Sequence, residues 1–164
     1  MEKNSHCSFC GTRFRDDAAW PRRCATCGNT SYLNPLPVAV MLLPVDDGLL
    51  AIRRAIPPAG KLALPGGYID HRERWQDAAA RELREETGVA VDPETLREAR
   101  VLSAPDGTLL VFALAPPISA ADLPPFTPTA ETSERVILRA PSDDLAFALH
   151  ARVLREFFAG AFTR

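Results

Sequence analysis

The sequence lacks a strong charge of either sign and lacks long apolar runs. Its 19 basic and 21 acidic side chains leave a formal net charge of −2, which argues against a nucleic-acid binder and a membrane-surface protein. No apolar stretch reaches the roughly 18 residues that suggest a membrane span. The first ten residues, MEKNSHCSFC, lack the apolar core of a signal peptide, so we expect a cytoplasmic protein.

Cysteine is also scarce, and its four copies lie near the N-terminus. They form two Cys-x2-Cys pairs, Cys7 with Cys10 and Cys24 with Cys27, and a glycine follows each pair. Two such turns supply four thiolates, which is the tetrahedral set that structural zinc takes. Two disulfides or a redox pair are the alternatives. We predict a closed, structural Zn²⁺ site whose occupation drives the folding of a zinc ribbon at residues 1–33.

Residues 34–164 are expected to form the main domain. The chain is 46% hydrophobic and 24% charged, which is enough to bury a core. Apolar and β-branched runs predict strands at 38–43, 49–54, 89–91, 99–102, 108–115 and 134–139. Helices are predicted over 75–87 and near the C-terminus, where Ser142 is a candidate cap. The proline-rich segment 116–130 should be a surface loop. This order of elements indicates an α+β domain or an α/β/α sandwich with a mixed β-sheet.

The stretch RELREETG, residues 81–88, places three carboxylates on one side of the predicted helix. At about 100° per residue, Glu82, Glu85 and Glu86 share one face. Like charges at this spacing repel one another. Taken alone, the segment is typical of a solvated surface helix, so the residues around it decide its interpretation.

The surrounding spacing is more specific than the helix itself. From Gly67 to Val89 the chain reads Gly-x5-Glu-x7-Arg-Glu-apolar-x-Glu-Glu-x-Gly-apolar, a pattern of 23 residues without a departure. In this segment the chain resembles the Nudix hydrolases. The resemblance implies a Nudix α/β/α sandwich. It also implies cleavage at the pyrophosphate of a nucleoside diphosphate linked to another moiety, with Mg²⁺ or Mn²⁺ as cofactor.

The same resemblance implies roles for individual residues. It assigns catalytic metal ligands to the Gly66 carbonyl and to Glu82, Glu85 and Glu86. Glu73 and Arg81 would brace and orient this cluster. Carboxylate oxygens are the ligands that Mg²⁺ prefers, so the chemistry agrees with the implied assignment.

The sequence does not identify the general base or the residues that contact the ring of the substrate. Family members use a glutamate of this helix or one on a distal loop, where Glu131 and Glu134 are the candidates. We favour Glu131, because it lies nearer the proline-rich loop. Phe112 and Phe126 could stack an adenine or a flavin, but packing in the core or in the loop is the favoured interpretation for each.

A four-cysteine module joined by Tyr-x-Asn-Pro to a Nudix domain narrows the expected substrate. This arrangement resembles FAD and ADP-ribose pyrophosphatases and, less closely, NADH pyrophosphatases. The Ser-Gln-Pro-Trp type motif of the NADH enzymes is absent from the sequence. We therefore expect a small-molecule dinucleotide such as FAD or ADP-ribose, cut to AMP and a phosphorylated partner.

Two alternatives to this function remain at the level of the sequence. One is an NADH or NAD-cap pyrophosphatase. The other is a non-catalytic zinc-ribbon Nudix protein that senses a ligand or RNA, against which the intact acidic cluster argues. The resemblance also allows a homodimer.

Overall fold

Two Cys-x2-Cys turns and a short hairpin make up the first part of the chain. The computed structural model describes residues 3–162, and the chain divides into two units, Met1–Pro35 and Leu36–Arg164. In the first unit, strand β1 (Arg22–Arg23) pairs antiparallel with β2 (Thr30–Ser31). The predicted domain bounds, 1–33 and 34–164, stay a prediction, and they include residues 1, 2, 163 and 164, which lie outside the described part.

The second unit carries the remaining strands and both α-helices of the described chain. The strands are β3 (Leu36–Leu42), β4 (Pro44–Val45), β5 (Gly48–Arg54), β6 (Leu62–Ala63), β7 (Gly66–Tyr68), β8 (Arg97–Ser103), β9 (Thr108–Leu114) and β10 (Thr132–Leu138). The helices are α1 (Trp75–Thr87) and α2 (Ala148–Phe158). Among residues 3–162, no helix is both long and apolar enough to span a bilayer.

Strand β3 lies inside a mixed sheet of order β7-β3-β9-β8. It pairs parallel with β9 and antiparallel with β7, which is one of the two edge strands of this sheet. A second sheet is centred on β5, which pairs antiparallel with β10, β4 and β6. The predicted α+β class with a mixed sheet is confirmed.

Both faces of β3 are buried, because successive side chains of a strand point to opposite faces. Ala39 and Met41 join a core with α1, whereas Val40 and Leu42 join a separate core with α2. The sheet therefore carries one helix on each face. This arrangement separates the surface beside α1 from the surface beside α2, with β7 at the edge between them.

The strand predicted at 89–91 is wrong. Gly88 ends α1 with a φ of 77°, and residues 89–91 continue as irregular chain. Val89 is buried in the core beside α1, so its apolar character reflects packing and not strand pairing. A short apolar run cannot by itself distinguish these two environments.

The predicted helix cap at Ser142 is also wrong. Helix α2 begins at Ala148, after Phe147, while the Ser142 hydroxyl accepts a hydrogen bond from the Asp144 N–H. The segment between them runs along β6, since the Leu62 N–H donates to Asp144 O (3.0 Å) and the Ala146 N–H donates to Leu62 O (2.7 Å). Pairing with β6 therefore holds these residues extended and delays the helix.

Candidate active site

Helix α1 presents its acidic side chains to a cleft of about 600 Å³. The cleft is lined by residues of α1, strand β7, the end of β5 and the segment before β10. They are Arg54, Ile56, Gly66, Gly67, Tyr68, Asp70, Arg81, Glu82, Glu85, Glu86, Thr129, Ala130 and Glu131. Gly66, Arg81 and the three helix glutamates, which were predicted as site residues, are thus brought together. Glu131, from a distant part of the chain, lies with them.

Strand β7 places two glycines in close contact with their surroundings. A Cβ at Gly67 would lie 2.5 Å from the Glu82 Cδ, and a Cβ at Gly66 would lie 2.8 Å from the Val40 Cα. Gly67 therefore leaves room for a carboxylate of α1, whereas Gly66 leaves room for the backbone of β3. The Gly66 N–H also donates to Glu86 Oε2 at 2.9 Å, so this strand holds the helix carboxylates from one side.

The Arg81 guanidinium connects the helix to the chain that precedes it. Its Nε and one Nη donate to the two oxygens of Glu73 at 2.9 and 3.0 Å. The same side chain donates to the Tyr68 carbonyl at 3.0 Å and to Glu82 Oε1 at 2.7 Å. Its contact with Glu85 is longer, at 3.4 Å. Arg81 is therefore the cation that fixes the acidic cluster, and its hydrogen bonds keep the pKa of Glu73 below its usual range.

Burial has the opposite effect on two other carboxyl groups of the cluster. It raises the pKa of Glu86 to about 8, and the charges of Glu82 and Glu131 act in the same direction. Burial also raises the pKa of Glu82, against the lowering effect of Arg81. Burial thus disfavours the charged forms of both carboxyl groups when no cation is bound.

Among the distal candidates, only Glu131 lies in the cleft. The side chain of Glu134 points elsewhere and forms an ion pair with Arg53, with 2.8 Å between Oε2 and Nε. Glu131 directly precedes β10, and its carbonyl accepts a hydrogen bond from the Ala55 N–H at 2.7 Å. This backbone bond holds residue 131 against the end of β5, beside the acidic cluster.

Neither phenylalanine proposed for ring stacking is free to serve in the cleft. Phe112 is completely buried in the core beside α2, so the favoured packing role is confirmed for it. Phe126 lies under the Arg135 guanidinium, with 5.6 Å between Cζ and the ring centroid. The cleft also contains Arg54, Tyr68 and Asp70, which the spacing pattern did not indicate. Of these three residues, only Arg54 could have been suspected from the sequence, because it is a basic residue at the end of a predicted strand.

The comparisons with known proteins agree with this geometry. Residues 35–154 match the family described as the NUDIX domain. The chain belongs to the Nudix family. A Nudix hydrolase from Nitrosomonas europaea has a similar crystal structure, with a TM-score of 0.72 and 27% identity over 94% of this chain and 90% of that one. The predicted Nudix fold is confirmed.

Two curated relatives of this Nudix chain have described activities. An ADP-ribose pyrophosphatase of Methanocaldococcus jannaschii is 36% identical over 76 residues, which are 46% of this chain and 44% of the relative. The NAD-capped RNA hydrolase NudC of Shigella flexneri is 26% identical over 89 residues, or 54% of this chain and 35% of the relative. The chain spans less than half the length of either relative.

The acidic cleft of the Nudix unit fits a divalent cation. Its donors are hard carboxylate oxygens, and a bound cation would favour the charged forms that burial disfavours. Among residues 3–162, the three helix carboxylates do not all come within 4.8 Å of one another. Mg²⁺ keeps several waters and substrate oxygens in its shell, so direct convergence of all three is not needed.

The four cysteines converge more tightly than the carboxylates do. All four Sγ atoms lie within 4.8 Å of one another, with 3.7 Å between Cys7 and Cys27 and 3.6 Å between Cys10 and Cys24. A disulfide needs about 2.05 Å, and the cysteines are free, so the disulfide alternative is not supported. Four thiolates at about 2.3 Å from one Zn²⁺ would lie roughly 3.8 Å apart, which this group matches.

The two glycines of β7 should respond differently to substitution. Gly66→Ala forces a methyl group into the backbone of β3, so the melting temperature should fall markedly. Gly67→Ala displaces only the Glu82 carboxylate, so the protein should stay folded while Mn²⁺ affinity decreases. Thermal denaturation and Mn²⁺ titration of both variants provide the measurement. Equal loss of stability in the two variants would contradict the assigned contacts.

Proposed function

We propose that this chain is a metal-dependent pyrophosphohydrolase that cleaves a nucleoside diphosphate linked to another moiety. The proposed substrates are dinucleotides such as FAD or ADP-ribose, cut to AMP and a phosphorylated partner. The observation that carries the proposal is the pair of carboxyl groups, buried in Glu86 and partly buried in Glu82, in a cleft large enough for a diphosphate.

The helix carboxylates are the proposed metal ligands. Glu82, Glu85 and Glu86, with the Gly66 carbonyl, would hold Mg²⁺ or Mn²⁺ beside the diphosphate. Such a cation neutralises phosphate charge and activates a water for attack on phosphorus. Glu73 has the proposed role of fixing Arg81, which in turn orients Glu82.

Glu131 is the proposed general base. It lies in the cleft, and it is exposed, so a water can reach its carboxylate. Glu134 is a weaker candidate because its carboxylate is engaged by Arg53. Arg54 also lines the cleft, and it takes no part in the Glu73–Arg81 pair. Its guanidinium is suited to contact a substrate phosphate.

The second candidate substrate is NADH or NAD-capped RNA. The resemblance to NudC proteins favours it. The absence of the Ser-Gln-Pro-Trp type motif favours FAD or ADP-ribose, as does the resemblance to an ADP-ribose pyrophosphatase. A small-molecule partner and a homodimer are part of the proposal, together with a structural Zn²⁺ held by the four cysteines.

A substrate panel tests the proposed function. FAD, ADP-ribose, NADH and nucleotide sugars are incubated with Mg²⁺ or Mn²⁺, and AMP release is measured. The wild-type protein should turn over FAD or ADP-ribose faster than NADH. Glu85→Gln should reduce turnover by orders of magnitude without unfolding, because Glu85 is half exposed and removing it costs little packing.

Glu134→Gln is the matched control for this panel. It removes one carboxylate outside the cleft and should leave turnover within a few-fold of the wild type. Full activity of Glu85→Gln, or no turnover of any panel member by the wild type, would contradict the proposal.

The zinc proposal is tested at Cys24. Cys24→Ser removes a buried member of the thiol group, so the purified variant should lose bound zinc and the fold of the first unit. Elemental analysis gives the zinc content, and limited proteolysis reports the folding of residues 3–35. Ser8→Ala provides a control beside the site, and unchanged zinc content in Cys24→Ser would refute the assignment.

A further inference from the structure

One arginine outside the cleft contacts two of the elements that line it. Arg135 lies on β10, on the same face as Ile137, because residues two apart in a strand point the same way. Ile137 packs against the core beside α1, so the Arg135 side chain is directed toward that helix. Its guanidinium donates to the Thr87 carbonyl at 2.9 Å and to the Pro124 carbonyl at 2.7 Å. One side chain therefore joins the end of α1 to the loop before β10.

The charge of Arg135 is offset by carbonyl oxygens and by a ring. Within residues 3–162 it forms no ion pair, and burial alone lowers the pKa of its guanidinium. Besides the two carbonyls, it contacts the Phe126 ring, with 5.6 Å between Cζ and the ring centroid. A partly buried charge without a carboxylate partner is unfavourable unless hydrogen bonds offset it. The two hydrogen bonds therefore matter more here than they would on an open surface.

The contact with α1 lies at the end of the helix. Thr87 is its last residue, and the last four carbonyls of a helix have no acceptor role within it. A cation at this position also interacts favourably with the negative end of the helix dipole. Thr87 is buried and directly follows Glu86, a proposed metal ligand. Because Arg81 and the core residues of α1 hold the helix independently, α1 is the fixed side of the contact.

The loop on the other side of the contact has few further attachments. Leu123 packs against the core beside α1, but within residues 3–162 the next five residues, 124–128, form no backbone–backbone hydrogen bond. Three of these five are prolines, at 124, 125 and 128. Proline fixes φ at about −65°, so the chain direction after Pro124 depends on how that residue is held. Arg135 holds it through its carbonyl.

The same segment ends in a tight turn that places Glu131 in the cleft. The Thr129 N–H donates to the Thr132 carbonyl at 2.8 Å. The Thr129 hydroxyl accepts hydrogen bonds from the Glu131 N–H at 3.2 Å and from the Thr132 N–H at 3.0 Å. The turn is thus compact, and only residues 125–128 separate it from the carbonyl that Arg135 holds. A shift at that carbonyl would therefore be passed on to Glu131.

We infer that Arg135 is a positioning residue of the candidate active site. By holding the Pro124 carbonyl against the end of α1, it sets where Glu131 lies relative to the helix carboxylates. The inference rests on the proposed function, in which Glu131 is the general base. A general base must lie within hydrogen-bond reach of the water it activates, so a small displacement of the loop lowers turnover.

A double-mutant cycle tests whether Arg135 acts through Glu131. The kcat and KM of the best panel substrate are measured at saturating Mg²⁺ for the wild type, Arg135→Gln, Glu131→Gln and the double variant. Arg135→Gln should lower kcat about tenfold with little change in KM, because the loop is displaced and the helix is not. In the Glu131→Gln background, the same substitution should cost less than about twofold, because the base that it positions is already gone.

Arg139→Gln is the matched control for this cycle. Arg139 is an exposed arginine just after β10 that pairs with Asp47, so its loss should leave kcat unchanged. An equal loss from Arg135→Gln in the two backgrounds would overturn the inference, as would wild-type kcat in Arg135→Gln or in Glu131→Gln. If Arg135→Gln does not fold, Arg135→Lys replaces it. Lysine keeps the charge but not the planar fork, so unchanged kcat and loop exchange in that variant would overturn the inference.

Amide hydrogen exchange measures the loop without any need for turnover. The amides of Thr129 and Glu131 should exchange at least about tenfold faster in Arg135→Gln than in the wild type, and at the wild-type rate in Arg139→Gln. Turnover by the wild type with unchanged exchange in Arg135→Gln would overturn the inference and keep the proposed function. No turnover of any panel substrate, with faster exchange in Arg135→Gln, would refute the proposed function and keep the loop contact.

Discussion

The two hydrogen bonds between the Arg81 guanidinium and the Glu73 carboxylate hold the candidate site in its geometry. They connect the chain before α1 to the middle of the helix, at N–O distances of 2.9 and 3.0 Å. Both side chains are partly buried, at 27% and 16% exposure, so removing Arg81 would leave Glu73 without its cationic partner. The remaining donors of Arg81 then reach β7 and Glu82 from a fixed position. The close approach of Glu82 to Gly67 depends on this brace.

The candidate site contains carboxyl groups in opposite electrostatic environments. Glu73 is stabilised in its charged form by Arg81, whereas burial destabilises the charged forms of Glu82 and Glu86. A surplus of buried negative charge is unfavourable for the isolated fold but favourable for binding a cation. The helix thus gives up some stability for a binding site, which agrees with its Nudix membership. Glu131 adds to this surplus from a distant segment.

The part of the site that lies on α1 could be predicted from the sequence, because its spacing is local. Helical periodicity alone places Glu82, Glu85 and Glu86 on one face, and the cysteine pairs are equally local. The cavity that Val38, Tyr68 and the start of α2 line could not be predicted, because it depends on the register of Tyr68 against Val38 and on where α2 begins. The choice between Glu131 and Glu134 likewise depends on β10 pairing, which is irregular between residues 132 and 134.

The predictions that were wrong also relied on local features of the sequence. Ser142 has a capping side chain, but the pairing of its segment with β6 determines where α2 starts. The apolar run at 89–91 packs against α1 and does not pair. In each case long-range packing overrides a correct reading of residue type.

Mn²⁺ binding, followed by electron paramagnetic resonance, tests the cation site most directly. The wild type and the Glu82→Gln/Glu86→Gln double variant are compared after zinc loading of the cysteine site. The double variant replaces both carboxyl groups with amides of similar volume, so it should stay folded and bind Mn²⁺ at least about tenfold more weakly. Equal Mn²⁺ affinity in the two proteins would contradict a cation site on α1.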